Sequence, residues 1–275
     1  MDYADLSDHD FKRFSDLVYE KCGINLHDGK KTLVRARLGK RLRQGGFQDF
    51  NAYYRFVSKA ENEEELVHLL DAISTNLTSF FREEKHFDFL KERLFPTFLE
   101  KGQRKIRIWS AGCSSGEEPY SLAMCSFEYF GLNNGLDISI LASDISTRVL
   151  SQAQKGVYRQ ERVINIKEPI LRKYFQKGVG RQTGNVRVKA FVRDRIRFER
   201  INLMEPFPSK EKFDVIFCRN VMIYFDKSTQ ERLVNKFYEA LGTGGYLFIG
   251  HSESLTGVNH PFKYTMPTVY CRNYA

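Results

Sequence analysis

Ile106-Arg-Ile-Trp-Ser-Ala-Gly-Cys-Ser-Ser-Gly-Glu-Glu-Pro-Tyr120 is the stretch that decides the fold of this 275-residue chain. An apolar run ends at Gly112 and an amphipathic segment begins after Gly116, which predicts a strand, a tight turn and a helix. Glycines let a backbone approach a ligand closely, so the turn predicts a ligand-binding crevice. The spacing is not G-x-G-x-x-G, and Glu117 and Glu118 would repel phosphate. The ligand should therefore carry hydroxyls, an amine or a positive charge.

Around this stretch, apolar runs alternate with segments compatible with helices. The predicted strands are Ile106–Trp109, Ile138–Ala142, Val215–Cys218 and Tyr246–Ile249, and predicted helices among them include Pro119–Phe130 and Thr229–Leu241. This alternation predicts an α/β fold, a parallel sheet with helices on both faces. Residues 1 to about 100 show helical patterns only, beginning with Ser7 and Asp10 at capping-box spacing.

We therefore expect two domains, a helical N-terminal domain over residues 1–80 and an α/β domain over residues 81–275. A small antiparallel β insert is expected at about 172–200. There, Gly178, Gly180 and Gly184 precede the alternating runs Val186–Arg193 and Ile196–Arg200.

Composition points to an ordinary globular protein with an acidic or anionic partner. The formal net charge is +9, and 42% of residues are hydrophobic. Five scattered cysteines without a C-x-x-C pair argue against a disulfide framework or a zinc site, and the acidic start does not resemble a signal peptide, so we expect a cytoplasmic protein without membrane insertion. The basic segment 30–43 predicts a helix with its leucines and Val34 inward and Arg35, Arg37, Lys40, Arg41 and Arg43 outward, either as a docking surface or as a solvated face.

Polar residues follow the predicted strands, where open α/β sheets bind ligands. Asp144 lies about 30 residues beyond Gly112, and it could accept both hydroxyls of a ribose. Asn202, with Leu203, follows a third candidate strand, and Arg219 with Asn220 follows the next. Each asparagine suits an adenine edge or an amino-acid head group, although a loop-capping role is the commoner one for either residue alone.

Four runs resemble the CheR family, the chemotaxis receptor protein-glutamate O-methyltransferases that use S-adenosylmethionine. They are Thr75–Glu83, Trp109–Tyr120, Ala142–Ile145 and Phe213–Asp226, and the resemblance covers nearly the whole chain. It implies a Rossmann-like class I methyltransferase sheet and the product S-adenosylhomocysteine. It implies the following cofactor-binding residues: Asn76, Thr78, Arg82, Gly112, Glu118, Asp144, Asn202, Leu203, Arg219 and Asn220.

The resemblance also matches Arg82 and Tyr224 to the positions associated with methyl transfer. Arg82 would either clamp the carboxylate of the cofactor or align the incoming glutamate. We favour alignment, because an ion pair that strongly stabilises the nucleophile in the ground state would slow its attack. Tyr224 would direct the acceptor through a hydrogen bond, while a half-buried core tyrosine is an equally good interpretation from sequence alone.

A glutamate acceptor is already an anion and needs no general base, so no paired His and Asp is expected. The six histidines show no spacing typical of metal ligands, and no metal site is predicted. The segment His251-Ser-Glu-Ser254 is better explained as a loop cap than as a catalytic group. Cys218 is expected to be a small buried hydrophobe.

The implied substrate is the glutamates on the cytoplasmic helical domains of chemoreceptors, and a receptor C-terminal peptide could bind at the β insert, near Gly178–Gly184. The alternatives are methylation of another acidic protein or of nucleic acid, and a cofactor-binding adaptor without activity. The Asn/Asp-Pro-Pro-aromatic loop of nucleic-acid methyltransferases is absent from the segment Arg219–Tyr224, so no nucleic-acid partner is expected.

Overall fold

The computed structural model describes residues 5–132, 135–207 and 211–273. Its N-terminal part consists of helices α1 (Asp8–Cys22), α2 (Lys31–Gly45), α3 (Phe50–Val57) and α4 (Glu63–Ile73). The Ser7 hydroxyl oxygen accepts from the Asp10 backbone N–H, so the predicted N-cap of α1 is confirmed. These helices bury a core of their own around Phe14, Leu38 and Tyr53. The predicted domain boundary at residue 80 falls in the irregular segment 74–83.

The remaining chain forms an α/β unit. Its helices are α5 (Glu84–Phe89), α6 (Phe95–Glu100), α7 (Glu117–Phe130), α8 (Thr147–Lys155), α9 (Glu168–Tyr174), α10 (Ala190–Arg193) and α11 (Lys227–Ala240). Its strands are β1 (Lys105–Ala111), β2 (Asp137–Asp144), β3 (Val157–Arg159), β4 (Phe175–Lys177), β5 (Asn185–Val188), β6 (Ile196–Arg200), β7 (Phe213–Cys218), β8 (Leu241–Ile249), β9 (Lys263–Met266) and β10 (Val269–Cys271). One turn of π-helix, Leu90–Leu94, joins α5 to α6.

Seven strands form one sheet in the order β6-β2-β1-β7-β8-β10-β9. The first five are parallel, and β10 and β9 complete the sheet as an antiparallel edge. The strand order reverses between β1 and β7, and their carboxyl ends border a crevice at this switch point. The predicted α/β fold is confirmed, and each of the four predicted strands lies within an observed one.

Each face of the sheet carries its own apolar core. Trp109 and Phe237 of α11 lie in one, and Phe217 packs with Phe248 in the other. The cysteines are unpaired thiols, and four are buried: Cys22, Cys113, Cys125 and Cys218. Burial raises the thiol pKa of Cys22 to about 11 and that of Cys125 to about 12. Cys218 is therefore the buried small residue that the sequence predicts.

The β insert differs from its predicted limits of about 172–200. Its three antiparallel strands are ordered β3-β5-β4, so the insert already begins at Val157. Ile196–Arg200 instead pairs in parallel with β2 at the edge of the main sheet. The sequence misled because an edge strand with one exposed face alternates apolar and charged residues just as an antiparallel strand does. The end of the predicted run Val186–Arg193 is helix α10.

Helix α2 is only partly the outward-facing basic surface that its sequence predicts. Val34, Leu38 and Leu42 are buried as expected, but the prediction is wrong for Leu33, which is exposed. Arg37, however, donates to the carbonyl oxygens of Ile73 and Ser74, and Arg41 donates both Nε and Nη2 to the Glu65 carboxylate. These two arginines bind to the protein itself because helix α4 and its C-terminus lie alongside α2. Arg35, Lys40 and Arg43 remain exposed, and Arg35 pairs with the exposed Asp5 at 3.2 Å.

The helical part contacts the sheet around the crevice. The Asp71 carboxylate accepts from the Thr147 hydroxyl at 3.0 Å and from the Arg148 N–H at 3.3 Å, at the start of α8. The Tyr19 hydroxyl donates to Asp226 at 2.7 Å, beside α11. These contacts hold the helices over the carboxyl ends of the strands. Within the described residues, no helix combines the length and apolarity needed to span a membrane.

Candidate active site

All eleven residues singled out from the sequence line one cavity between the helical part and the carboxyl edge of the sheet. They are Asn76, Thr78, Arg82, Gly112, Glu118, Asp144, Asn202, Leu203, Arg219, Asn220 and Tyr224. The cavity thus collects the turns after β1, β2, β6 and β7, as ligand sites of open α/β sheets do.

The turn after β1 must begin with a glycine. Gly112 has φ +84°, and a Cβ there would lie 2.4 Å from Cγ2 of Val221. The N–H groups of Gly112 and Cys113 both donate to the Ser143 carbonyl at 2.8 Å, which joins this turn to the end of β2. The absence of a side chain at Gly112 therefore lets the turns after β1 and β7 meet at the wall of the cavity.

Asp144 ends β2 and fastens two turns. Its carboxylate accepts from the backbone N–H of Ser114 at 2.8 Å and from that of Ser146 at 2.9 Å. Burial raises the pKa of Asp144, and these two N–H donors oppose the rise. Each oxygen keeps a second lone pair, so the carboxylate can still accept hydrogen bonds from the two hydroxyls of a ribose.

Arg219 is the charged centre of the site, and its side chain is only 2% exposed. Its guanidinium lies 3.0 Å from Glu83 Oε2 and 3.3 Å from Glu118 Oε2, and it donates to the Arg82 carbonyl. Ser110 donates to the other Glu118 oxygen at 2.7 Å. Burial raises the pKa of Glu118, and Arg219 opposes that rise. For Glu83, burial also acts upward, but Arg219 and the His251 N–H outweigh it and lower the pKa.

Arg82 and Tyr224 reach the cavity from different segments of the chain. The Arg82 side chain is 36% exposed, and its Nη1 donates to the Leu77 carbonyl at 3.1 Å. Tyr224 lies in the turn after β7, and its carbonyl accepts from the Asn25 N–H at 2.8 Å. The guanidinium of Arg82 thus stands between the cavity and solvent, while the contact with the helical part fixes the backbone that carries Tyr224.

The irregular segment 74–83 brings Asn76 and Thr78 to the cavity. The Ser114 hydroxyl donates to the Asn76 carbonyl at 2.9 Å, and Arg162 donates to the Thr78 carbonyl at 2.9 Å. Arg162 belongs to the β insert and also pairs with the fully buried Glu117 at the start of α7. One arginine thereby ties the insert, the segment 74–83 and helix α7 together.

Both asparagines line the cavity, and Asn202 also makes loop-capping contacts. Asn202 Nδ2 donates to the Lys21 carbonyl at 2.6 Å, and Asn202 Oδ1 accepts from the Met204 N–H. Asn220 has φ +58° and the left-handed backbone that asparagine tolerates best among residues with a side chain. Leu203 is buried next to them and supplies an apolar wall.

Sequence reasoning missed part of the site. Glu83 lies in the run Thr75–Glu83, but nothing in its position in the sequence indicates that it pairs with Arg219. The helical part contributes further lining residues, namely Cys22, Ile24, Asn25, Leu26, Lys30 and Leu33. No signal in the sequence of one chain could have placed them there, because their position depends on how the two parts dock.

Three potential metal ligands, Glu83, His86 and His251, lie close together, although their spacing in the sequence does not suggest a metal site. Atoms of Glu83, His86 and His251 lie within 4.8 Å of one another. However, the guanidinium of Arg219 contacts the same Glu83 oxygen that faces both histidines. The carboxylate therefore already has a cationic partner, and the positive charge of Arg219 would repel a divalent ion. Glu83 is better described as the partner that holds Arg219.

A parallel sheet with a glycine turn, a strand-end carboxylate and polar strand ends around one crevice defines an α/β enzyme that binds a nucleoside-type ligand. The chain belongs to the CheR methyltransferase family. Residues 76–271 match the family description "CheR methyltransferase, SAM binding domain", and residues 9–74 match "CheR methyltransferase, all-alpha domain". The protein is thus an S-adenosylmethionine-dependent methyltransferase. The donor set fits this cofactor, since Asp144 suits its ribose and Glu118 its ammonium group.

Relatives extend over almost the full chain. It is 44% identical to a chemotaxis protein methyltransferase of Borreliella burgdorferi, over 96% of this chain and 94% of the relative. Identity to the chemotaxis protein methyltransferases of Salmonella typhimurium and Escherichia coli is 40% and 39%, in both cases over 96% of this chain and over 90% and 91% of the relatives.

Replacing Asp144 tests the ribose contact. Asp144→Ala should weaken binding of S-adenosylhomocysteine at least tenfold, because hydrogen bonds to a charged group contribute about 1.5–3 kcal/mol each. Titration calorimetry measures the affinity. Asp71→Asn is the control, since it loosens the neighbouring start of α8 from outside this cavity and should leave the affinity within about twofold. Equal affinity of Asp144→Ala and the unchanged protein would contradict the assignment.

His86 makes stability depend on pH. Burial, and secondarily Arg219, lower its pKa from 6.5 to about 3. Below pH 6.5 the unfolded chain takes up a proton that the folded protein refuses, so stability present above that pH is lost as the pH falls towards 3. From pH 7 to pH 5 this loss should be about 2 kcal/mol.

Urea unfolding at both pH values measures this loss. His86→Phe, whose ring would lie against Phe217 and Phe248, should lose less stability over the same interval. The exposed His9→Gln is the control and should behave like the unchanged protein. An undiminished pH dependence in His86→Phe would show that His86 does not cause it.

Proposed function

We propose that this enzyme transfers methyl groups to glutamate side chains on the cytoplasmic helical domains of chemoreceptors, forming methyl esters. One observation carries the proposal. None of the described residues that line the cavity is a histidine, and the acids Glu118 and Asp144 are already bound to Arg219 and Ser110 and to two backbone N–H groups. A site without an available base suits an acceptor that is ionised at neutral pH.

A carboxylate acceptor meets this requirement, whereas a hydroxyl or a protonated amine would have to lose a proton first. When bound, S-adenosylmethionine supplies an electrophilic methyl group on a sulfonium cation. Joining an anion to a cation disperses charge, so a cavity that excludes water favours the step. Alignment of the reactants contributes much of the rest, about 7–11 kcal/mol in well-oriented systems.

We propose the following roles for individual residues. Asp144 accepts from the ribose hydroxyls, and Glu118 from the ammonium group of the cofactor. Asn220 offers its side-chain amide to a polar edge of the cofactor. Asn202 already donates to the Lys21 carbonyl and to Glu205, so it offers the remaining lone pair of Oδ1. Arg82, which borders solvent, orients the incoming carboxylate through its planar donor pair, and Tyr224 directs it with a hydrogen bond.

Receptor docking would use two surfaces, helix α2 and the β insert. The exposed cations of α2, Arg35, Lys40 and Arg43, favour approach of an acidic helical surface. In the β insert, β3 and β4 each pair only with β5 among the described strands, so an extended receptor C-terminal peptide could add to a free edge. The segment Gly178–Gly184 borders β4 and β5. Such substrates place the enzyme in the cytoplasm.

The decisive assay incubates the enzyme with S-adenosylmethionine labelled on its methyl group and purified receptor cytoplasmic fragments. Alkali should then release labelled methanol, because among the candidate products only a carboxyl ester is hydrolysed to it. Fragments with their glutamates replaced by alanine serve as the control. Alkali-stable label, label on added nucleic acid, or binding without transfer would overturn the proposal in favour of a different methyltransferase or an inactive adaptor.

Arg82→Lys separates orientation of the acceptor from binding of the cofactor. Lysine keeps the charge but loses the planar donor pair, so kcat at saturating cofactor should fall by about tenfold or more while cofactor affinity changes only a few-fold. Steady-state kinetics and calorimetry give the two quantities. If saturating cofactor restores the rate, Arg82 is instead a clamp for the cofactor carboxylate, and unchanged values for both would exclude Arg82 from the reaction.

A further inference from the structure

The segment His251–Ser254, which follows β8, carries a buried carboxylate that the proposed reaction does not use. Glu253 is only 9% exposed, and it is absent from the lining of the cavity. Its side chain points instead at the back of the turn after β7, which carries Arg219, Asn220 and Tyr224.

Four backbone N–H groups converge on this one carboxylate. Oε2 accepts from Asn220 at 2.8 Å and from Gly250 at 2.5 Å, and Oε1 accepts from Met222 at 2.7 Å and from Ile223 at 3.2 Å. Three of the four donors belong to the turn after β7, and the fourth, Gly250, directly follows the neighbouring strand β8. The carboxylate thus takes the place of backbone partners that this turn lacks.

The turn has a conformation that needs such support. Asn220 has φ +58°, outside the regions that side-chain-bearing residues normally occupy. Gly250 lies directly behind it, and a Cβ there would be 2.5 Å from Asn220 Nδ2 and 2.8 Å from its backbone nitrogen. Glu253 holds the turn by hydrogen bonds, and Gly250 leaves the room for it.

We propose that Glu253 is a positioning residue that fixes the turn Asn220–Ile223, so that Asn220 faces the cofactor and Tyr224 faces the methyl acceptor before either molecule binds. The inference rests on the proposed function, which assigns Asn220 and Tyr224 to the site. Glu253 touches neither reactant. A carboxylate is required, because an amide would offer one acceptor oxygen and would turn an NH2 group towards two of the N–H donors.

Glu253→Gln in the full chain is the first test, with Asp214→Asn as its matched control. Asp214 is also a carboxylate on a backbone N–H, accepting from Arg107 N–H and Gln103 Nε2, both at 2.7 Å, but it lies at the opposite end of β7. For Glu253→Gln, the Kd of S-adenosylhomocysteine should rise about tenfold or more, and kcat at saturating cofactor should fall at least tenfold. Asp214→Asn should lower Tm without changing either constant by more than about twofold.

Gly250→Ala tests the same turn from its other side and covers the case that Glu253→Gln fails to fold. It leaves the carboxylate intact but pushes a methyl group against Asn220, so it should reproduce the loss of affinity and of kcat. A folded Glu253→Gln with unchanged constants would overturn the proposal. So would an unchanged Gly250→Ala, or an Asp214→Asn that loses cofactor affinity as strongly as Glu253→Gln does.

Asn220→Ala separates this proposal from the proposed function. If Asn220→Ala binds cofactor normally, the turn is not part of the cofactor site and the residue assignment fails with it. If Asn220→Ala weakens binding while Glu253→Gln does not, the site assignment stands and the positioning role of Glu253 is wrong.

Discussion

The buried guanidinium of Arg219 is the interaction on which the rest of the site depends. It contacts Glu83 and the backbone of Arg82 in the irregular segment 74–83 and Glu118 of helix α7, and so links the turn after β7 to two other stretches of chain. A buried cation is costly unless its donors are matched, and two carboxylates with a carbonyl oxygen match them here. Removing Arg219 would leave two largely buried carboxylates, Glu83 and Glu118, without their shared cation at the junction of the cavity walls.

Most of the fold could be predicted because its signals are local. Glycine at a strand end, apolar runs of strand length and amphipathic helices are each visible within about fifteen residues. The β insert shows where such signals end. Ile196–Arg200 pairs in parallel with β2, but its sequence would suit a hairpin strand equally well. Alternation of apolar and charged residues shows that one face of a strand is exposed, and it does not show which strand lies next to it.

The candidate site divides in the same way. Residues at strand ends, such as Asp144 and Asn220, could be placed because every parallel strand delivers its end to the same edge. Contacts between segments that are distant in the sequence could not be predicted. Three such contacts depend on how the helices pack on one another and on the sheet. They are the pairing of Glu83 with Arg219, the hydrogen bond from Arg37 to the Ser74 carbonyl, and the hydrogen bond from the Asn25 N–H to the Tyr224 carbonyl.

Backbone strain is concentrated where the cavity walls meet. Among the described residues with a side chain, five have positive φ angles, and four of them, Phe81, Glu83, Ser114 and Asn220, belong to segments that border the cavity. The fifth, Thr268, lies between β9 and β10. Such conformations persist only where surrounding contacts hold them. The Asp144 carboxylate accepts from the Ser114 N–H, and the Glu253 carboxylate accepts from the Asn220 N–H, so each holds a residue with positive φ. This explains why two buried acids bind backbone N–H groups in a site that contains so many charged side chains.

The four buried cysteine thiols can serve as probes of local opening of the structure. Cys22 lies in the helical core, Cys113 and Cys125 lie on one face of the sheet, and Cys218 lies on the other. Burial raises the pKa of all four, so a thiolate for an alkylating reagent forms readily only after the surrounding layer separates. The modification rate of each cysteine therefore measures how often its own layer opens, without any mutation.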